Sequence, residues 1–191
     1  MKKLLLGCCL LMCVISAHSK STTIYSALVL DKITKIKTSE KYGDEIYWVI
    51  TEFKSSGKNA QHTIPHYPVH WPARALNDVK NVPLWQGKIP SGQSSIIYLE
   101  LVEHDAPPFN VDDSIGSVRL VVKNEKGNLK IDWKDSENVK YNETKEGKLT
   151  FEKLRFHGEG GEYLVTMHFK QLNANQYQPI QASNNRRIRL R

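Results

Sequence analysis

Glu103, Asp105, Asp112 and Asp113 crowd one short proline-bearing stretch, Glu103-His104-Asp105-Ala106-Pro107-Pro108-Phe109-Asn110-Val111-Asp112-Asp113. Carboxylates packed this closely repel one another unless water or a cation lies among them. Hard oxygen ligands on an irregular loop suit Ca²⁺, which takes roughly six to eight oxygens in loose geometry. A second acidic stretch, Thr38-Ser39-Glu40-Lys41-Tyr42-Gly43-Asp44-Glu45, supplies Glu40 and Asp44. If the fold brings both stretches to one end, Glu40, Asp44, Glu103, Asp105 and Asp113 converge as a metal-ligand set. Glu103 and Asp105 stand two apart at a strand end, so both side chains face one way and His104 the other.

The elements that must position these residues read as strands. Tyr25 to Leu30, Ile46 to Phe53, Ser95 to Val102 and Val118 to Val122 alternate apolar with polar residues and are rich in β-branched and aromatic types. Leu129 to Trp133, Leu149 to Phe156 and Tyr163 to Phe169 continue the pattern, the last two joined by the glycine-rich turn His157 to Gly161. The expectation is an all-β antiparallel sandwich, whose connecting loops cluster at its two ends. His62 to Leu84 departs from this, because Pro65, Pro68, Pro72 and Pro83 disfavour both a central strand and a long helix. That segment reads as an irregular proline-rich insertion with a short helical turn near Ala73 to Val79.

Residues 1–19 carry the marks of a secretory signal peptide. Met1-Lys2-Lys3 is basic, Leu4 to Ile15 is apolar, and Ala17-His18-Ser19 offers small residues for cleavage before Lys20. Cys8, Cys9 and Cys13 all lie in that leader, so the exported chain has neither disulfide nor thiol chemistry. No second long apolar run follows, and no transmembrane segment is expected. Loss of Lys2 and Lys3 takes 27 basic residues to 25 against 20 acidic ones, so net charge falls from +7 to +5. That balance favours anionic partners. Arg186, Arg187, Arg189 and Arg191 concentrate it in a basic tail over residues 176–191.

Other motifs are sparse. His62, His66 and His70 are spaced four apart, but Pro65 and Pro68 deny them the helix that would align them for Zn²⁺, so they read as surface histidines. Gly-x-Ser-x-Gly, Walker and His-Glu-x-x-His motifs are missing from the sequence. Trp71, Trp85 and Trp133 read as core or rim fillers rather than base-stacking platforms, and no nucleic-acid partner is expected. A metal-assisted hydrolase using His104 is disfavoured by the outward direction of that ring.

Glu103-x-Asp105 followed by Asp113-Ser114-Ile115-Gly116 resembles the third loop of C2 domains, where Asp-x-Asp, a variable tip and Asp-x-hydrophobic-Gly occur in that order. Gly43-Asp44-Glu45-Ile46-Tyr47-Trp48-Val49 similarly resembles the family's first loop. The resemblance runs over residues 24 to 172 and implies an eight-stranded, C2-like sandwich within residues 20–175. It also implies Ca²⁺ held by Asp44, Asp105 and Asp113, with Glu103 in place of the family's first aspartate. Where the family has an aspartate near Thr38, the nearest acid here is Glu40. The implied function is that of a secreted bacterial binding module, not an enzyme. It would dock peripherally on anionic phospholipid or phosphoinositide head groups, with Phe109 at the loop tip and the tail arginines as lipid contacts. The implied location is periplasmic or extracellular. The alternative left open is a Ca²⁺-stabilised protein-interaction or adhesion module without lipid binding.

Overall fold

Alternating apolar residues become long strands because a pleated chain sends successive side chains to opposite faces, and only one face must be buried. A computed structural model describes residues 22–40, 43–105, 111–134, 139–146, 149–158 and 161–180. The strands are β1 (Ile24–Lys37), β2 (Glu45–Lys54), β3 (Asn59–Ile64), β4 (Trp71–Pro72), β5 (Val82–Ile89) and β6 (Ser94–Glu103). β7 (Asp113–Glu125), β8 (Asn128–Lys134), β9 (Val139–Glu146), β10 (Leu149–Gly158) and β11 (Gly161–Leu172) complete the set. The leader, the loop tip with Phe109, and the tail with Arg186, Arg187, Arg189 and Arg191 lie outside the described residues.

Two antiparallel sheets form the sandwich. One has the order β5-β1-β11-β10-β9 and the other β3-β2-β6-β7-β8, with β4 paired to β2. The all-β antiparallel sandwich is therefore what the alternation predicts, but the strand number is not the expected eight. Two five-stranded paths give ten, and the two-residue β4 adds one more. The polar sequences of β3 and β9 lack an alternating signal. β5 contains Pro83 yet is a strand, because it lies at a sheet edge where the missing N–H breaks no inner ladder. The proline-rich segment holds the expected short turn, a 3-10 helix over Ala73–Asp78.

The core comes from the inward faces of both sheets. Leu28, Leu30, Ile33, Leu154, Phe156, Tyr163, Val165 and Met167 of one sheet meet Ile46, Trp48, Ile50, Leu99 and Leu101 of the other, all buried. Trp48 and Phe156 touch edge to face across the sandwich at 5.2 Å and 85°, an arrangement worth about 0.5–1.5 kcal/mol beyond the area it buries.

Register decides which loops meet. β2 begins where β6 ends, with Ile46 opposite Glu103, and Glu103 in turn lies opposite Asp113 at the start of β7. Lys37 at the end of β1 faces Glu162 at the start of β11. The β1–β2 and β6–β7 loops, the β10–β11 turn and the segment entering β4 therefore gather at one end, which is rich in carboxylates. The other end gathers Lys54, Lys58, Lys88, Lys123, Lys126 and Lys130, with Glu52 and Glu125 ion-paired among them. At the acidic end Ser114 and Gly116 pair with Val102 and Leu101, leaving Ile115 as the extra residue of a bulge. Gly158 seats against it: a Cβ there would lie 2.7 Å from the Ile115 carbonyl oxygen and 2.9 Å from that of Ser114.

Candidate metal centre

Asp44 is held by its backbone and by three donors. Gly43 takes a φ of +94°, a left-handed value that a side chain resists, and the following Asp44 is buried. The Asp44 carbonyl accepts from Ala73 N at 2.8 Å, tying the loop to the 3-10 helix. Its carboxylate Oδ1 accepts from Ser39 Oγ at 3.0 Å and from Glu40 N at 3.1 Å, while Oδ2 accepts from the Tyr163 hydroxyl. Burial, reinforced by the Asp44 carboxylate, pushes the Tyr163 pKa up, so the phenol remains a donor.

Strand alternation fixes the other half of the site. At the end of β6, Glu103 is 2% and Asp105 7% exposed, and between them His104 is half-buried. Ser39 Oγ also contacts Glu103 Oε2, so one hydroxyl joins Asp44 to Glu103. A hydroxyl carries a single proton and cannot donate to both carboxylates. The contacts are satisfied together when Glu103 is protonated and donates to Ser39 Oγ, which donates onward to Asp44. Burial raises the Glu103 pKa; the Ser39 hydrogen bond opposes this, and the carboxylates of Asp44, Asp105 and Glu40 add to it, leaving a value of about 7.

The ligand oxygens of Glu40, Glu103 and Asp105 lie within 4.8 Å of one another. Ca²⁺ bonds of about 2.3–2.6 Å can span two oxygens up to about 5 Å apart, so one ion could gather these three with a small movement of the exposed Glu40 side chain. Glu103 Oε1 and Asp105 Oδ2 are buried and have no hydrogen-bond partner among the described residues. An unmatched buried carboxylate oxygen costs about 1–3 kcal/mol or more, and a cation would remove that cost at both. Glu40, on the exposed side, opens on a pocket of about 410 Å³ that it shares with Gly43, Glu45, Arg74 and His104.

Of the residues expected from sequence, Glu40, Glu103 and Asp105 come together, and Asp44 stands one hydroxyl away. Asp113 is half-buried opposite Glu103 in the ladder, but its carboxylate is not in the converging set. Its neighbour Asp112 has a different role that spacing did not suggest. Asp112 Oδ2 accepts from the Tyr47 hydroxyl at 2.6 Å; Oδ1 lies 3.0 Å from His104 Nδ1 and accepts from Asp105 N at 3.2 Å. It braces the loop, and only the β2–β6–β7 register could have revealed this.

The far side of His104 holds residues that sequence reasoning passed over. The His70 and His104 rings stack at 3.9 Å with 20° between planes, and Glu45 lies beside them. Partial burial and the neighbouring His104 lower the His70 pKa. His62 is not on the surface as expected: it is 5% exposed and donates Nε2–H to the Leu84 carbonyl at 2.9 Å. Of the six exposed large apolar side chains among the described residues, four, Ile36, Tyr67, Val69 and Val111, belong to loops or strand ends of this same acidic pole. No helix among the described residues is long and apolar enough to cross a membrane. No protein-family model and no curated protein matches this chain.

Proposed function

We propose that this chain is an exported C2-like binding module whose acidic end holds Ca²⁺ through Glu40, Glu103 and Asp105 and docks peripherally on anionic phospholipid. The observation that carries the reading is the convergence of Glu40, Glu103 and Asp105, the last two of which each keep a buried oxygen without a hydrogen-bond partner among the described residues. Asp44 supports the site by sharing Ser39 with Glu103. Two further features favour it. The two acidic loops share one end. Exposed Ile36, Tyr67, Val69 and Val111 flank the carboxylates there, as apolar groups entering a membrane interface would.

Bound Ca²⁺ would neutralise the cluster and bridge to a phosphate, which the bare carboxylates repel. Flotation of the mature protein with phosphatidylserine or phosphoinositide liposomes, in Ca²⁺ or in chelator, tests this. The expected result is Ca²⁺-dependent co-flotation; absence of binding in both conditions ends the lipid reading.

The depth of Glu103 and Asp105, 2% and 7% exposed, favours a second reading. An ion seated that far in would chiefly clamp the loops, giving a Ca²⁺-stabilised protein-interaction or adhesion module. That reading predicts a Ca²⁺-dependent melting temperature without lipid binding.

A further inference from the structure

We infer that His70, His104 and Glu45 form a second metal site, selective for a borderline ion of the Zn²⁺ class, with ligands distinct from the carboxylate cluster although Glu45 and His104 line the same pocket as Glu40. This inference stands independently of the Ca²⁺ and lipid reading. Three separate elements build the site. Glu45 opens β2, His104 follows β6, and the backbone N–H of His104 donates to the Glu45 carbonyl at 2.6 Å. His70 arrives immediately before β4, whose Trp71 and Pro72 pair with Ile46 and Glu45. The two-residue strand thus brings a histidine of the proline-rich segment over the end of β2.

The side chains are close enough for one ion to gather them. Donor atoms of Glu45, His70 and His104 lie within 4.8 Å of one another, with Glu45 Oε2 at 4.0 Å from His70 Nδ1, and because the two imidazoles stack at 20°, one ring must turn out of the stack for its in-plane lone pair to meet the ion. Zn²⁺ bonds of about 2.0–2.2 Å to nitrogen and oxygen need ligand atoms somewhat over 3 Å apart, a closure that the exposed Glu45 side chain can make by rotation. Asp112 supplies the second observation. Its carboxylate, already accepting from Tyr47, takes the Nδ1–H of His104, so the lone pair of that ring is left on Nε2. A carboxylate fixing the tautomer of a ligating histidine is the usual outer support of such sites.

Ligand chemistry separates the two centres. Glu40, Glu103 and Asp105 offer only carboxylate oxygen, which suits Ca²⁺, whereas two imidazoles and one carboxylate suit Zn²⁺, Cu²⁺ or Ni²⁺. Three protein ligands also leave a fourth position for water or an anionic group, beside the pocket that Glu45 and His104 line with Arg74.

Calorimetric titration of untagged mature protein with Zn²⁺, in excess Ca²⁺, tests the inference. It should be run on wild type, His70→Gln/His104→Gln, Asp112→Asn and Glu103→Gln/Asp105→Asn, each checked by near-UV circular dichroism. Wild type and the Glu103/Asp105 variant should bind one Zn²⁺ per chain. The double histidine variant should lose that binding, and Asp112→Asn should weaken it about 10- to 100-fold. Co²⁺ absorption gives an independent readout, with visible bands that disappear in the histidine variant. No Zn²⁺ binding by wild type, unchanged affinity in the histidine variant, or loss confined to the Glu103/Asp105 variant would each overturn the assignment. The Ca²⁺ titration of the same proteins reports separately on the carboxylate site.

Discussion

Tyr163 of β11 donates its hydroxyl to the Asp44 carboxylate just ahead of β2, a hydrogen bond that crosses from one sheet to the other at the acidic end. Both residues are buried, so water cannot replace the donor when it is removed. Tyr163→Phe should therefore destabilise the fold by about 1.5–3 kcal/mol, the range for a hydrogen bond to a charged group. Urea unfolding, with an unchanged slope and a lower midpoint, is the measurement.

Glu103 sets a pH dependence of the metal-free protein. Burial places its folded pKa at about 7, above the unfolded value of 4.5. A raised pKa contributes stability that is complete below the unfolded value and is lost as pH rises through the folded one. In chelator, the melting temperature should fall by several degrees between about pH 5 and about pH 8. Glu103→Gln should flatten that fall, and Ca²⁺ should restore stability at the alkaline end but not at the acid end.

Asp105 and Asp113 should behave differently toward Ca²⁺. Asp105 belongs to the converging set and Asp113 does not. Calorimetry should show Asp105→Asn losing roughly tenfold or more in Ca²⁺ affinity, and Asp113→Asn staying within about threefold of wild type. Equal losses would return Asp113 to the ligand set that the sequence pattern suggests.

His62 gives the opposite slope on the acid side. Burial lowers its pKa from 6.5, only partly opposed by its bond to Leu84, so the folded state favours the neutral ring. Stability is complete above the unfolded value and is lost as pH falls through the folded one. His62→Gln, which retains an N–H donor for Leu84, should reduce this acid loss; His62→Ala should cost about 1–3 kcal/mol at neutral pH.

Gly158 tests the contact between the β10 turn and the β7 bulge. Any Cβ would press on two backbone oxygens, of Ile115 and Ser114, which cannot rotate away. Gly158→Ala should cost about 1–3 kcal/mol in thermal or urea unfolding. Because Asp113, just ahead of that bulge, is the ladder partner of Glu103, a drop in Ca²⁺ affinity should accompany it.

Strands β1, β2, β6, β7, β10 and β11 were legible because each buries one face and so alternates. β5 was not, because Pro83 counts against a central strand and sequence does not announce an edge. β3, Asn-Ala-Gln-His-Thr-Ile, and β9, Val-Lys-Tyr-Asn-Glu-Thr-Lys-Glu, lack the apolar period. The meeting of the acidic loops stood only as a condition, since loops of an antiparallel sandwich lie at either end and the strand pairing decides which end each takes. Nor was the exchange of Asp113 for Asp112 as the loop's bonded carboxylate legible, because it depends on how β2, β6 and β7 pair. The joining of His70 to His104 and Glu45 was hidden most deeply. It rests on β4, two residues long, for which no periodicity exists.

The lysines at one end and the carboxylates at the other give the described body an electric dipole, offset in part by Lys35, Lys37 and Arg74 at the acidic pole. An anionic surface would attract such a particle lysine-first and turn its carboxylates toward bulk solvent. Cations loaded at the acidic end would shrink that dipole and free the particle to rotate. Ion occupancy would then govern which face the protein presents on arrival, as well as how tightly it stays.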